Sequence, residues 1–222
     1  MLFLIRNYTS LGFSGLQVFG IAIAYLLVIV ISLSLHEFAH AFSAYKSGDQ
    51  TPKMMGRVTI NPLKHIDVTG FICCIFFGFG WAKPVQINPN NFRNIKRGVG
   101  WTSVAGVLMN LFLGFIGYGF FAVLTVINAS NILSIFLQYF FYYLFYINIC
   151  LAVFNFLPVY PLDGFKFIEN FTKYNNKFIN FMRRYGTLIL LLVVLCFDSL
   201  LMSLIGYVSW PIMWFWNLIF GL

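Results

Sequence analysis

The sequence predicts an all-α polytopic membrane protein: a three-helix core followed by C-terminal helices, with a re-entrant segment and short membrane-associated β-strands. Three observations predict it. Hydrophobic residues make up 60% of the chain and charged residues 9%, with a mean hydropathy of +0.85, so there is too little charge to cover a soluble surface. Apolar stretches at about 16–45, 99–127 and 132–157, with one or two more between 187 and 221, are long enough for a hydrocarbon core of about 30 Å. The basic residues fall in short segments between these stretches, as the positive-inside bias requires. A chain of 222 residues then has room for one membrane domain, 1–222, with a core at about 16–165 and a helical hairpin at about 187–221.

Arg6 ahead of a long apolar run resembles the start of a signal sequence. The run carries polar residues and lacks a small-residue cleavage site, so it is expected to stay as a transmembrane helix. Beyond it, Lys46, Lys53, Arg57 and Lys64 precede the short apolar stretch 68–80, and Lys83, Arg93, Lys96 and Arg97 follow it. Thirteen residues reach only about 20 Å as a helix, and a full crossing would put one basic flank outside. The stretch is therefore expected to dip into the membrane and return. Residues 53–60 and 83–88 alternate in polarity, as in Arg57-Val58-Thr59-Ile60, and are expected to form short strands lining a cavity.

The helix over 99–127 then runs outward, and Asn128-Ala129-Ser130-Asn131 makes an external turn. The helix over 132–157 returns to the basic face. Residues 164–184, with Lys166, Lys173, Lys177, Arg183 and Arg184 against Glu169, form an amphipathic connection on that face. Asp198 falls near the outer turn of the C-terminal hairpin.

A net charge of +8 raises the question of nucleic acid, but no basic tract interleaved with aromatics is present, and no nucleic-acid partner is expected. Cys73, Cys74, Cys150 and Cys196 lie in apolar stretches without CxxC spacing, which favours buried thiols over metal ligands.

The chemistry begins at His36-Glu37-Phe38-Ala39-His40. Residues i and i+4 share a helix face, so two imidazoles can converge on one Zn²⁺ with a glutamate beside them as a general base. Counted from Lys46 at the interface, His40 lies about 9 Å and His36 about 15 Å along the helix axis. Ionisable groups at that depth are costly without a function. Catalytic zinc takes three protein ligands, and the chain offers only six acidic residues. Pro161-Leu162-Asp163-Gly164 reads by itself as a structural turn. Its return to the face that carries the HExxH favours Asp163 as the third ligand.

With these residues quoted, the chain resembles the site-2 protease family of intramembrane zinc metalloproteases. His36-Glu37-Phe38-Ala39-His40 and Leu157-Pro158-Val159-Tyr160-Pro161-Leu162-Asp163-Gly164 carry the match. Asn61-Pro62-Leu63-Lys64-His65-Ile66-Asp67, Gly80-Trp81-Ala82-Lys83-Pro84-Val85, Asn88-Pro89 and Ala105-Gly106 followed by Asn110 support it. The resemblance covers roughly residues 20–170. It implies a three-helix catalytic core in which His36, His40 and Asp163 bind Zn²⁺ and Glu37 is the base. Val107 and Val68-Thr69-Gly70 depart from the family's usual prolines, which bears on loop shape and leaves ligands and base intact.

The resemblance also implies a transmembrane protein as substrate, hydrolysed in or near its membrane segment. It places the enzyme in the bilayer, expected to be the cell membrane, with the active site open to the cytoplasmic side. Asn110 and Asn155 are expected to bond neighbouring helices or to contact the substrate. His65 is expected to serve a loop hydrogen bond. A metal transporter is the rival class, but it needs polar residues through the full bilayer, and the outer halves of these helices are apolar.

Overall fold

The computed structural model describes residues 8, 12–77, 80–127, 131–172 and 176–222. Helix α1 spans Gly15–Ser47 and is started by a reciprocal capping box, in which Ser14 accepts from the Gln17 amide and Gln17 reaches back to the Ser14 amide. It ends at Gly48, whose φ of 116° lies in the left-handed region that only glycine enters at no cost. A single turn, α2 (Thr51–Met54), follows. Next come α3 (Val68–Phe77), α4 (Ile95–Ile127) and α5 (Ile132–Asn155). The chain closes with α6 (Asp163–Phe171), α7 (Lys177–Cys196) and α8 (Asp198–Phe220).

Helices α1, α4 and α5 pack against one another and form the core. On α1 the buried positions Ile21, Val28, Ser32, His36, Ala39 and His40 recur at helical spacing and form one inward stripe. Ile21 and Val28 meet Tyr143 and Leu144 of α5. Tyr118 and Ala122 of α4 meet Phe145 and Ile149 of α5. Helix α8 lies on the outside of this trio. Trp216 donates to the Phe115 carbonyl at 2.9 Å, and Tyr118 donates to Asn217 Oδ1 at 2.9 Å.

Among the described residues five helices, α1, α4, α5, α7 and α8, are long and apolar enough to cross a membrane. The apolar side chains on α7 and α8 point outward, with Leu195 69% and Leu218 70% exposed. Lipid has to cover such a surface, since water would not. The protein is an integral, multi-pass membrane protein. The C-terminal hairpin is formed by α7 and α8 with Phe197 and Asp198 at the junction, and it starts about one membrane leaflet earlier than the sequence suggests. The expected outer turn at 128–131 lies outside the described residues except for Asn131, which caps α5 by accepting from the Ser134 amide. The N-terminal residue Arg6 lies outside them as well.

The expected strands do not form. Among the described residues there is no strand, and a single antiparallel bridge joins Ile66 to Ala82. The reason is that side chains take the backbone groups a ladder would use. Val85 N–H donates to the Glu37 carboxylate at 3.0 Å, and Asn88 N–H donates to Asp49 Oδ2 at 2.7 Å. The Arg57 guanidinium donates to the carbonyls of Lys64 and Lys83. Residues 51–54 close a helical turn instead of extending. The 68–80 stretch appears as α3, ten residues or about 15 Å long, with residues 78 and 79 outside the described set.

Asp49 organises this side of the molecule. It is fully buried and accepts from the Thr51 amide and hydroxyl, the Asn88 amide and the Asn91 side chain. Burial works against its charged form, yet these four donors hold its carboxyl below the usual carboxylate range. A depressed folded-state pKa means that the stabilisation is complete above about pH 4 and fades as pH falls further. Asp49→Asn puts an amide NH₂ among donors and should cost about 1–3 kcal/mol. Thermal unfolding in detergent from pH 7 down to 3 checks this: the variant should melt lower at neutral pH, and its melting point should fall less on acidification.

Candidate metal centre

His36 and His40 lie one turn apart on the buried face of α1, and Asp163 opens α6 directly after the Pro158–Pro161 turn. That turn reverses the chain from the end of α5 toward α1. His36 Nε2 lies 3.2 Å from Asp163 Oδ2, His40 Nε2 lies 2.9 Å from the same oxygen, and the two Nε2 atoms are 3.0 Å apart. All three side chains are buried. Sequence positions more than 120 residues apart thus supply one set of three donor atoms.

The protons in this cluster can be traced. His40 donates from Nδ1 to the Thr102 carbonyl at 2.6 Å, and a carbonyl can only accept. In the neutral ring Nε2 is then a lone pair, and it faces a carboxylate oxygen at 2.9 Å. Two acceptors in such contact need a cation between them. The Asn110 amide lies 3.1 Å from His36 Nδ1, and Asn110 Oδ1 is buried with no partner among the described residues. When His36 Nε2 is given to a metal, Nδ1 carries the proton, and the same amide accepts it by turning its oxygen inward. Two imidazole nitrogens and one carboxylate oxygen are a zinc donor set. The residues present fit the ion.

Asp163 divides its two oxygens. Oδ2 faces the imidazoles, while Oδ1 accepts from Lys166 Nζ at 2.9 Å, one turn along α6. Burial pushes the carboxyl up, but the two imidazoles beside it and Lys166 hold it well below the usual carboxylate range. Asp163 is a carboxylate at neutral pH.

Gly106 of α4 makes the approach of the helices possible. A Cβ there would meet His36 Cε1 and His40 Nε2 at 2.5 Å. Beside the cluster lies a cavity of about 60 Å³ that Glu37, His40, Val85, Thr102, Asp163 and Lys166 help to line. It is large enough for water and too small for a peptide.

Of the residues singled out in the sequence, His36, His40, Glu37, Asp163 and Asn110 come together. Asn155 does not join them through any recorded bond. It donates to the Leu151 carbonyl in its own helix at 3.0 Å. His65 is fully buried and bonded to the Thr59 carbonyl at 2.8 Å, the loop role expected of it. Sequence reasoning did not single out Thr102, Lys166 or the Val85 amide, and it quoted Gly106 without a role. Lys166 stands at i+3 from Asp163, a spacing that signals a pair only once α6 is known to begin at Asp163.

Comparison with known proteins bears on the chemistry. The model of Peptidase family M50 matches residues 122–195, a stretch that contains Asp163. The "Putative zinc metalloprotease YwhC" of Bacillus subtilis (strain 168) is 39% identical over 147 residues, covering 65% of this chain and 67% of that protein. The chain belongs to peptidase family M50. It is a zinc metalloendopeptidase. A second relative, the "Putative zinc metalloprotease Rip2" of Mycolicibacterium smegmatis (strain ATCC 700084 / mc(2)155), is 50% identical over 36 residues, 16% of this chain and 14% of that one. No solved structure matches this M50 peptidase.

Gly106→Ala should force the imidazoles apart. The purified variant is expected to carry less than a tenth of the zinc of the parent by elemental analysis while keeping its helical circular dichroism. Asn110→Ala, which leaves His36 Nδ1 without its partner, should weaken zinc binding about 10–100-fold in chelator competition.

Proposed function

We propose that this M50 peptidase cleaves peptide bonds in or near the membrane segments of transmembrane proteins, with His36, His40 and Asp163 as zinc ligands and Glu37 as general base. The observation that carries the reading is the convergence of His36 Nε2, His40 Nε2 and Asp163 Oδ2 on one point in a buried site. Bound zinc supplies Lewis acidity, which lowers the pKa of water and polarises a carbonyl.

The chain's own residues do the rest. Glu37 lines the cavity next to His40 and Asp163, so it takes the proton from the attacking water and returns it to the leaving amine. The Val85 N–H bond holds that carboxylate in place. His40 is oriented by the Thr102 carbonyl and His36 by Asn110. Asn110 is thereby engaged with a ligand, and Asn155 at the end of α5 is the amide left for a substrate contact.

Because the cavity excludes a peptide, the 83–88 segment moves aside when substrate enters. Helix α3 is too short to span, so it enters and leaves on the basic face. On that topology the site opens to the cytoplasm, and the substrate helix has to unwind before its carbonyls are free of intrahelical bonds.

Glu37→Gln keeps the shape and removes the base. With a single-span membrane protein as substrate in proteoliposomes, cleavage should fall about 10²–10⁴-fold while zinc content is unchanged. Cleavage equal to the parent would remove Glu37 from the reaction. Asp163→Asn should lose zinc, and full retention would break the ligand assignment.

A further inference from the structure

Two apolar grooves lie beside α4, and neither is lined by His36, His40 or Asp163. The first, of about 560 Å³, has Trp101, Val104, Leu108 and Phe171 in its walls and Lys96 and Arg97 at its mouth. The second, of about 440 Å³, lies between α5, α6 and α8, with Ala152, Ile168 and Leu204 among its walls. Val107, Leu111, Phe156 and Phe167 line both. The grooves therefore run side by side and share a wall.

On α4, positions 97, 100, 101, 104, 108 and 111 fall on one face, at steps of three and four residues. From Arg97 to Leu111 that face runs about 21 Å along the axis, enough to pass through one leaflet of a core about 30 Å thick. Its shallow end carries the two cations and Trp101, an indole 64% exposed at interfacial depth. Among the described residues no carboxylate pairs with Lys96 or Arg97. Positive charge at the mouth and paired apolar channels below it are complementary to a molecule with an anionic head and two hydrocarbon tails.

We propose that this surface binds one anionic diacyl phospholipid, its phosphate at Lys96 and Arg97 and one acyl chain in each groove. Phe167 and Phe171 belong to α6, the helix that begins with Asp163, so the lipid packs against the element that carries the third donor. A zwitterionic lipid of equal chain length fills the same grooves but brings its own cation to the basic mouth. Charge at the mouth therefore sets the preference, and the grooves set the requirement for chains.

Native mass spectrometry of the Glu37→Gln protein, released from micelles holding equal phosphatidylglycerol and phosphatidylcholine, tests this without reference to proteolysis. One phosphatidylglycerol per chain should survive release, at least tenfold over phosphatidylcholine, and millimolar glycerol phosphate or inorganic phosphate should not displace it. The Lys96→Gln/Arg97→Gln double variant should lose the preference. Leu108→Trp, at a half-exposed position where the fold tolerates bulk, should lose the lipid while keeping the melting temperature. Equal retention of both lipids, displacement by phosphate alone, or unchanged retention in Leu108→Trp would each overturn the proposal. So would photo-crosslinking from position 101 that captures a substrate membrane segment in place of lipid.

Discussion

Three buried donor atoms held within about 3 Å of one another are the constraint around which this molecule is built. In a medium of low dielectric, a lone pair against a carboxylate is unfavourable unless positive charge lies between them. A divalent ion bound at this point would offset that cost. Such an ion would need its ligands fixed from behind, and the Thr102 carbonyl, the Asn110 amide and the Lys166 ammonium contact His40, His36 and Asp163 in that way.

The architecture follows from bringing α1, α4 and the start of α6 close enough to meet. Buried residues Gly98, Thr102, Gly106, Asn110 and Gly114 recur every fourth position on α4 and present little bulk to the neighbouring helices. Between His36 and the far end of α1, the Ser32 hydroxyl accepts from Asn148 at 2.8 Å, a buried polar bond that fixes α1 against α5. On the opposite side, Asp49 fastens the 88–91 turn to the end of α1, and Val85, just before that turn, supplies the amide that holds Glu37. The proposed base and ligands are thus positioned by different elements. One stretch of chain ties them together.

Much of this was legible in the sequence because the decisive patterns are local. HExxH places two imidazoles on one helix face whatever surrounds it, and the prolines before Asp163 stop a helix in any context. Hydropathy and basic loops were enough to bring residue 163 back to the side of residue 36. Alternation at 53–60 and 83–88 misled, because a period of two says nothing about whether a carboxylate such as Glu37 or Asp49 will claim the strand's amides. Gly106 and Thr102 were opaque for a similar reason. Their roles depend on what lies across a helix interface, a matter of tertiary distance that no spacing encodes. The apolar grooves beside α4 were equally hidden, since they arise where α4, α5, α6 and α8 meet.

The central claim concerns which atoms hold the metal, and zinc K-edge X-ray absorption on the purified protein in a lipid nanodisc tests it most directly. The account predicts a first shell of nitrogen and oxygen only, with outer-shell scattering from two imidazoles and no sulfur. A sulfur shell near about 2.3 Å, or a spectrum unaltered by replacement of both His36 and His40, would contradict it.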